Sequence, residues 1–446
     1  RPADNRSMTG AGPVSPHLLP ATARLVGGAG RLSIGGCDLE ELADELGTPL
    51  FVYDEAHLRN TCREYRKFFA EGSVAYAGKA FLCRAMARLV AEEGLHLDVA
   101  TGGELYVALT AGFPAERLIL HGNNKSVDEL EAALLAGVGR IVVDCHEELD
   151  RIVALVAHGK PAPRVLMRVT PGVEARTHEH VETGHEDSKF GFQVTSGAAL
   201  EACRRAAGTR EVQFLGIHCH IGSQLRELGP VAEAAGIVAS LASDLAGVDV
   251  GVTEVNLGGG LGVAYVDGDR TPSVEEYAGH LQSSLLKAFA RVGVPEPDQV
   301  LVEPGRSIAG PAGVTLYRVG AVKPAPQGRV FVAVDGGMSD NPRPATYGAG
   351  YEAFLPARAG DPRPIAATVV GKHCEQGDLL VREAWLPAGV GVDDVLCTPV
   401  TGAYGYSMAS NYNKVPRPAV AFVAQGAPRL VVRRETFEDL VRLEVG

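Results

Sequence analysis

Apolar residues in the first two-thirds of the chain gather into short unbroken runs instead of alternating with polar ones. Eight such runs, rich in Val, Ile and Leu, stand at 74–77, 97–100, 118–121, 140–144, 165–170, 214–220, 254–257 and 300–303. Continuous apolarity over so short a length marks strands covered on both faces, as in a parallel sheet. Between them the spacing changes to that of amphipathic helices, at 81–94, 104–112, 127–137 and 147–159, each closing on glycine. Ser126 followed at the third position by Glu129 has the arrangement of a capping box. Eight strand-then-helix units predict an α/β fold, a (β/α)8 TIM-like barrel, with its active site in the loops at the C-terminal ends of the strands.

Beyond about residue 311 the texture changes. Runs at 315–322, 330–334, 366–371, 379–382, 419–424 and 429–433 are separated by turns rich in Pro and Gly, and predict a C-terminal all-β sandwich or barrel domain. The apolar segment 31–53 is expected to lend that domain an N-terminal strand. The expected division is a disordered extension at 1–30, the strand segment at 31–53, the barrel at 54–310 and the β domain at 311–446. Arg1 to Ser7 precede Met8 and read as an upstream extension.

A barrel places its chemistry just after its strands, and loaded residues stand there: Lys79, Asp98, Thr101, His121, Arg168, His220, the glycines at 258–260 and the segment 303–306. Most lysines are solvated surface charges. Lys79, at the mouth of a barrel, is instead expected to be partly buried, which frees its amine for a Schiff base. Glu303 ends a buried strand, where a carboxylate is costly without a cation or donor. Its partner is either a nearby arginine or a protonated pyridine nitrogen. Gly258-Gly259-Gly260-Leu261-Gly262 offers bare amides to a phosphate or simply makes a tight turn; Val263 stands where a dinucleotide fingerprint needs its last glycine. In His218-Cys219-His220-Ile221-Gly222-Ser223 the two histidines share one face of a strand, which is weak support for zinc without a third ligand. One ring stacked on a flat cofactor, with Ser223 donating to its phosphate, explains the segment as well. Cys374, in Lys372-His373-Cys374-Glu375, is flanked by polar residues and suits a functional thiol better than a core one.

Composition narrows the function. The chain is 46% hydrophobic and 22% charged, ordinary for a folded enzyme, and its net charge of -12 disfavours nucleic acid and anionic membranes as partners. No apolar run approaches the ~20 residues that span a bilayer, so a cytoplasmic location is expected. The eight cysteines are scattered without a Cys-x-x-Cys pair and read as reduced thiols.

Several motifs together carry a resemblance: Tyr76-Ala77-Gly78-Lys79-Ala80-Phe81, His121-Gly122-Asn123-Asn124-Lys125, His185-Glu186-Asp187-Ser188-Lys189-Phe190-Gly191, the histidine segment, the triple glycine, Glu303-Pro304-Gly305-Arg306 and Asp335-Gly336-Gly337-Met338. They resemble the fold-type III pyridoxal-phosphate decarboxylases, and more closely the diaminopimelate decarboxylase family, from about Gly36 to the C-terminus. The resemblance implies pyridoxal 5'-phosphate as cofactor, no metal, and conversion of meso-2,6-diaminopimelate to L-lysine and carbon dioxide by a homodimer with shared active sites. It implies that Lys79 holds the cofactor covalently, Glu303 pairs with its ring nitrogen and His220 stacks on the ring. Ser223, Gly259, Gly260, Gly305, Arg306 and Tyr404 would meet the phosphate. Arg306, Arg343, Tyr347, Glu375 and Tyr404 would bind the substrate, and Cys374 would donate a proton in the partner's site. Two features depart from the family pattern: Gly405 stands where a small thiol is expected, and Pro342 and Pro344 flank Arg343. The alternative is therefore a paralogue acting on a related diamino or acidic amino acid in a specialised pathway. A non-catalytic regulatory homologue would be expected to lose Lys79 or Cys374, and both are present.

Overall fold

The structure, a computed structural model, describes residues 12–27, 30–173 and 189–445. The motif residues His185 to Ser188 lie outside the described residues. The chain forms two units, one of Arg59–Val263 with Arg270–Ile308, the other of the residues up to 58, 264–269 and those from 309 onward.

The first unit is a parallel barrel of β1 (Ala75–Ala77), β2 (His96–Val99), β3 (Leu118–Leu120), β4 (Arg140–Val143), β5 (Arg164–Thr170), β6 (Gln213–Cys219), β7 (Glu254–Asn256) and β8 (Gln299–Leu301). Strand order follows the sequence from β1 to β8, and a parallel bridge from Val74 to Val302 closes the ring. Backbone hydrogen bonds from Ala75 to Val302 (2.9 Å) and from Ala77 to Pro304 (3.0 Å) secure the closure. The helices α1 (Arg84–Glu92), α2 (Gly102–Thr110), α3 (Val127–Ala136), α4 (His146–Ala157), α5 (Ala198–Ala207), α6 (Gly229–Ala246) and α7 (Val274–Val292) follow β1 to β7 in turn. The capping box at Ser126 and Glu129 forms as expected, and Gly137 ends α3 in the left-handed region.

Inside the barrel, Ala75, Ile119, Val142, Leu166, Leu215 and Leu301 pack as one apolar cluster. Successive residues of a strand alternate faces, so positions two further along return to the same side. Those positions are polar on several strands: His121 beyond Ile119, Asp144 beyond Val142, Arg168 beyond Leu166 and Glu303 beyond Leu301. The apolar layer thus carries a charged layer on top, at the C-terminal ends of the strands.

The opposite end is closed by an ion pair. Arg140, the first residue of β4, reaches across to Glu254, the first of β7, with Nε–Oε2 at 2.6 Å and Nη2–Oε1 at 2.7 Å. Arg140 also donates to Oε1 of Gln299, at the start of β8, at 3.1 Å. Both charged residues are buried.

In the second unit, the strand Leu50–Asp54 runs antiparallel to Gly313–Pro324 and parallel to Ala419–Ala424. It is buried at every position, which is why Leu-Phe-Val-Tyr lacks alternation. The sheet continues from Gly313–Pro324 through Val330–Val334, Ile365–Val370 and Leu379–Leu386 on one side, and from Ala419–Ala424 to Ala427–Val432 on the other. Val395–Pro399, not anticipated from the sequence, pairs with Gly313–Pro324. Within the expected disordered extension, the described residues 12–27 carry structure: Arg24–Val26 pairs with Arg31–Ile34, and Val14 and Leu18 are buried. The physical reason is the apolar pair itself, which gains more by joining the core than the short segment loses in entropy. Among the described residues, no helix is long and apolar enough to cross a membrane.

Candidate active site

The charged layer at the C-terminal ends of the barrel strands centres on Glu303, which is buried. Its Oε1 accepts from Nδ2 of Asn256 at 2.7 Å and lies 2.9 Å from Nε2 of His121. Its Oε2 meets Nε2 of His218 at 3.2 Å. Burial alone would raise the carboxyl, but the two imidazoles outweigh it and hold Glu303 well below the usual carboxylate range. The arginine-pair alternative is set aside: Glu303 is held by two histidines and an asparagine, while Arg168 keeps closest company with Asp144 at 3.8 Å. Nearby, burial pushes the Asp98 carboxyl up to about 7, with Glu303 adding to the rise and His121 and Lys79 opposing it.

Lys79 lies in a single 3-10 turn, Gly78–Ala80, directly after β1. Its flanking residues Gly78 and Ala80 are buried, while the lysine itself is exposed. This corrects the expected partial burial: on the tight turn after β1 the lysine stays exposed while its neighbours are covered. The ammonium is still felt by the acids of the site, since its charge opposes the upward shifts of Asp98 and Glu104.

The two histidines after β6 part company. His218 is buried against Glu303 and stands edge-on to His121, with ring centroids 4.8 Å apart. His220 lies beside the triple glycine, where its Nδ1 accepts the Gly259 amide at 3.3 Å. Burial first, then the charges of Lys79 and Arg168, hold the His220 ring well below its ordinary value and therefore neutral. Gly258, at φ +67°, approaches that ring so closely that a Cβ would stand 2.7 Å from Nδ1. Gly260, at φ +124°, would place a Cβ 2.6 Å from the Gly222 carbonyl oxygen. These glycines are therefore required by the local geometry and keep amides bare at the strand ends. Arg306, buried, donates from Nη2 to Oγ of Ser223 at 2.8 Å. Because that oxygen accepts, its own proton is free to be given away.

This unit thus combines an ionised acid, a neutral flat ring beside a glycine cradle, and an arginine–serine pair. Such a set fits a planar cationic heterocycle bearing a phosphate.

The remaining candidates belong to the second unit. Arg343 is buried, bonded to the Tyr351 hydroxyl and stacked over the Tyr265 ring at 4.5 Å. It opens the helix Arg343–Tyr347, with Pro342 as its N-cap and Pro344 in the first turn. Proline suits a helix start, because the missing amide would have no partner there anyway. The flanking prolines therefore set a helix start and leave the guanidinium in place. Tyr347, half-buried, closes the same helix. Tyr404 holds φ at +59°, a costly backbone conformation for a tyrosine. At Gly405 a Cβ would lie 2.8 Å from the Thr401 carbonyl oxygen and 2.9 Å from the Phe51 ring, so glycine is there for want of space. Cys374 and Glu375 are exposed, the glutamate bonded to the Tyr412 hydroxyl. The Cys374 amide donates to Oδ1 of Asn413 at 3.3 Å. None of the eight cysteines, all of them among the described residues, is in a disulfide.

Sequence reasoning named His121 and His218 without giving either the role of holding Glu303, and it overlooked Asn256. Strand alternation was the signal available for His121 alone, which stands two positions beyond the buried Ile119; Asn256 follows Glu254 and His218 follows Gly216 at that spacing, so neither carried it.

Comparison with known proteins follows the same lines. Residues 55–310 match the family model described as pyridoxal-dependent decarboxylase, pyridoxal binding domain. The chain is 49% identical over 426 residues to a diaminopimelate decarboxylase of Mycobacterium tuberculosis H37Rv, covering 93% of this chain and 95% of the relative. It is 45% identical over 421 residues to that of Bacillus subtilis 168, covering 93% and 95%. Among solved structures, diaminopimelate decarboxylase from M. jannaschii in complex with L-lysine superposes with a TM-score of 0.87 at 33% identity, covering 96% of this chain and 98% of the other. The Helicobacter pylori enzyme complexed with L-lysine gives 0.83 at 31% identity, covering 91% and 99%.

Proposed function

The chain belongs to the pyridoxal-dependent decarboxylase family, on its diaminopimelate decarboxylase branch, and on that premise we propose that it removes carbon dioxide from meso-2,6-diaminopimelate to leave L-lysine. The cofactor is pyridoxal 5'-phosphate. The observation that carries the reading is the buried, ionised Glu303 at the end of β8, in a site whose acids also feel the Lys79 ammonium.

Pyridoxal phosphate, once bound, supplies the electron sink for the pair left behind when carbon dioxide departs. Lys79 offers the amine that holds it. Glu303 keeps the ring nitrogen protonated, because an ionised acid favours its cationic partner. His220, neutral, would stack on the ring without competing for that proton. Ser223, Gly259, Gly260, Gly305 and Arg306 bind the phosphate, with Tyr404. Arg306, Arg343, Tyr347 and Tyr404 orient the substrate carboxylates, guanidinium groups being suited to paired hydrogen bonds with them. Glu375 meets the distal ammonium. Cys374 gives its proton to the carbon that lost the carboxylate. The chain works as a cytoplasmic homodimer, with cofactor binding in 54–310 and the thiol supplied from 311–446 of the partner subunit.

Carbon dioxide release measured on meso-diaminopimelate, its LL isomer, lysine, ornithine and arginine tests the substrate. Release should come from the meso isomer, and amino acids lacking the second carboxylate should be poorer by roughly 10⁴-fold, since a polar site arranged for that carboxylate would lose its charged partner. Equal release from lysine would reject the assignment.

Cys374→Ala should slow turnover by about 100-fold or more while leaving the cofactor bound. Mixing inactive Cys374→Ala and Lys79→Ala dimers should restore about a quarter of the wild-type sites, because half of the exchanged dimers carry one complete pair. No recovery after proven subunit exchange would place both groups in one chain's own site.

A further inference from the structure

Glu303 has more support than an ion pair requires, and its three partners are of different kinds: Asn256 and His218 hydrogen-bond to it, and His121 makes a charge contact. Asn256 and His121 both address Oε1, at 2.7 and 2.9 Å, whereas His218 addresses Oε2, at 3.2 Å. His218 is held down to about 4 by burial, with Glu303 pulling the other way, so it acts as a neutral donor. Its Nδ1 is buried without a hydrogen-bond partner, consistent with the proton residing on Nε2. His121 differs. Its Nε2 also lies 3.6 Å from Oδ1 of Asp98, and burial is overcome there by the two carboxylates, so its ordinary value is raised. The charged and titratable groups that interact with it include Asp98 on β2, Glu104 on α2, Asp144 beyond β4, Arg168 on β5, His218 on β6 and Glu303 beyond β8.

We propose that His121 is a positioning residue for decarboxylation: lodged between Asp98 and Glu303, it supplies the positive charge that keeps the carboxylate ionised and sits with Asn256 against Oε1, so that Oε2, which of the three only His218 addresses, keeps room to accept from the ring nitrogen of bound pyridoxal phosphate. A buried carboxylate without a compensating charge takes up a proton, and a protonated Glu303 could no longer hold a proton on the ring. The inference rests on the reading of Glu303 as the ring-nitrogen partner. It adds that this partner is itself set by a histidine and an aspartate from two other strands.

The test uses holoenzyme loaded with pyridoxal phosphate carrying ¹⁵N in the ring, whose chemical shift reports protonation of that nitrogen. His121→Gln keeps a donor without the charge, and Asp98→Asn removes the acid that helps hold the proton on His121. Both are expected to move the shift toward that of unprotonated pyridine, and His121→Gln to lower kcat roughly 10- to 100-fold with KM little changed, the scale carried by groups that orient a buried ligand's partner. A wild-type shift in His121→Gln overturns the proposal; if that variant does not retain the cofactor, Asp98→Asn decides in the same way. Glu303→Gln separates the two readings. If it moves the shift while His121→Gln does not, only the role of His121 falls; if it too leaves the shift unmoved, the assignment of Glu303 falls with it. Ligand atoms of His121, His218 and Glu303 lie within 4.8 Å of one another. Stoichiometric zinc or iron in the apoprotein, lost in His121→Gln, would therefore also overturn the proposal by making the trio a metal site.

Discussion

Lys79→Ala is expected to abolish the visible absorption band of the lysine-bound cofactor and to cut turnover by about 10⁴-fold or more, because the same amine both anchors the cofactor and is positioned to move protons. The fold should not notice. Lys79 is exposed, on a turn whose buried residues are its neighbours Gly78 and Ala80. Substitution of such a side chain changes stability by no more than about 0.5 kcal/mol. The prediction is therefore a separation: thermal denaturation close to wild type, with spectrum and activity gone. Borohydride reduction of the wild-type holoenzyme followed by peptide mapping should place the cofactor on Lys79. A label on any other lysine, or a surviving band in Lys79→Ala, would remove the covalent assignment.

The second large effect lies at the other end of the barrel and concerns stability. Arg140→Met should destabilise the protein by about 3–5 kcal/mol, the usual cost of leaving one partner of a buried ion pair uncompensated. Glu254 is 8% exposed and would lose both donors that Arg140 gives it at 2.6 and 2.7 Å. Removing the second charge as well, in Arg140→Met with Glu254→Leu, should recover most of the loss, since an apolar pair of similar volume replaces an ion pair at little cost. Denaturant midpoints for the two single variants and the double variant form the measurement. The kcat/KM of the folded fraction should stay near wild type, because the catalytic loops lie at the opposite ends of the strands. A loss under about 1 kcal/mol in Arg140→Met would mean that water reaches Glu254 and that this end of the barrel is not sealed by the pair.

The barrel was legible because burial on both faces leaves its mark on composition: a parallel strand covered by helices must be apolar throughout, and Leu118–Leu120 or Arg140–Val143 satisfy that almost residue by residue. The strand Val395–Pro399 was missed because it is short and follows Asp393 and Asp394, which read as a loop. The departures from the family pattern at Gly405 and at the prolines around Arg343 carried no local sign of their structural reason. Only the positions of Thr401 and Phe51 show that a Cβ has no room, and only the helix start at Arg343 shows that proline belongs there.

For the candidate site the division is similar. Position along the chain was enough to single out Lys79 and Glu303, because a charged residue directly after a buried strand needs a reason to be there. The sequence by itself determined the elements, their order and which residues end each strand, since these follow from local propensity and the cost of burying polar groups. What the tertiary structure alone decided was partnership: His121, His218 and Asn256 come from three strands, 182, 85 and 47 residues away from Glu303 along the chain, and only closure of the barrel brings them onto one carboxylate. Alternation along a strand fixes the face a side chain occupies; the groups it meets across the barrel depend on closure and register, which no local pattern encodes.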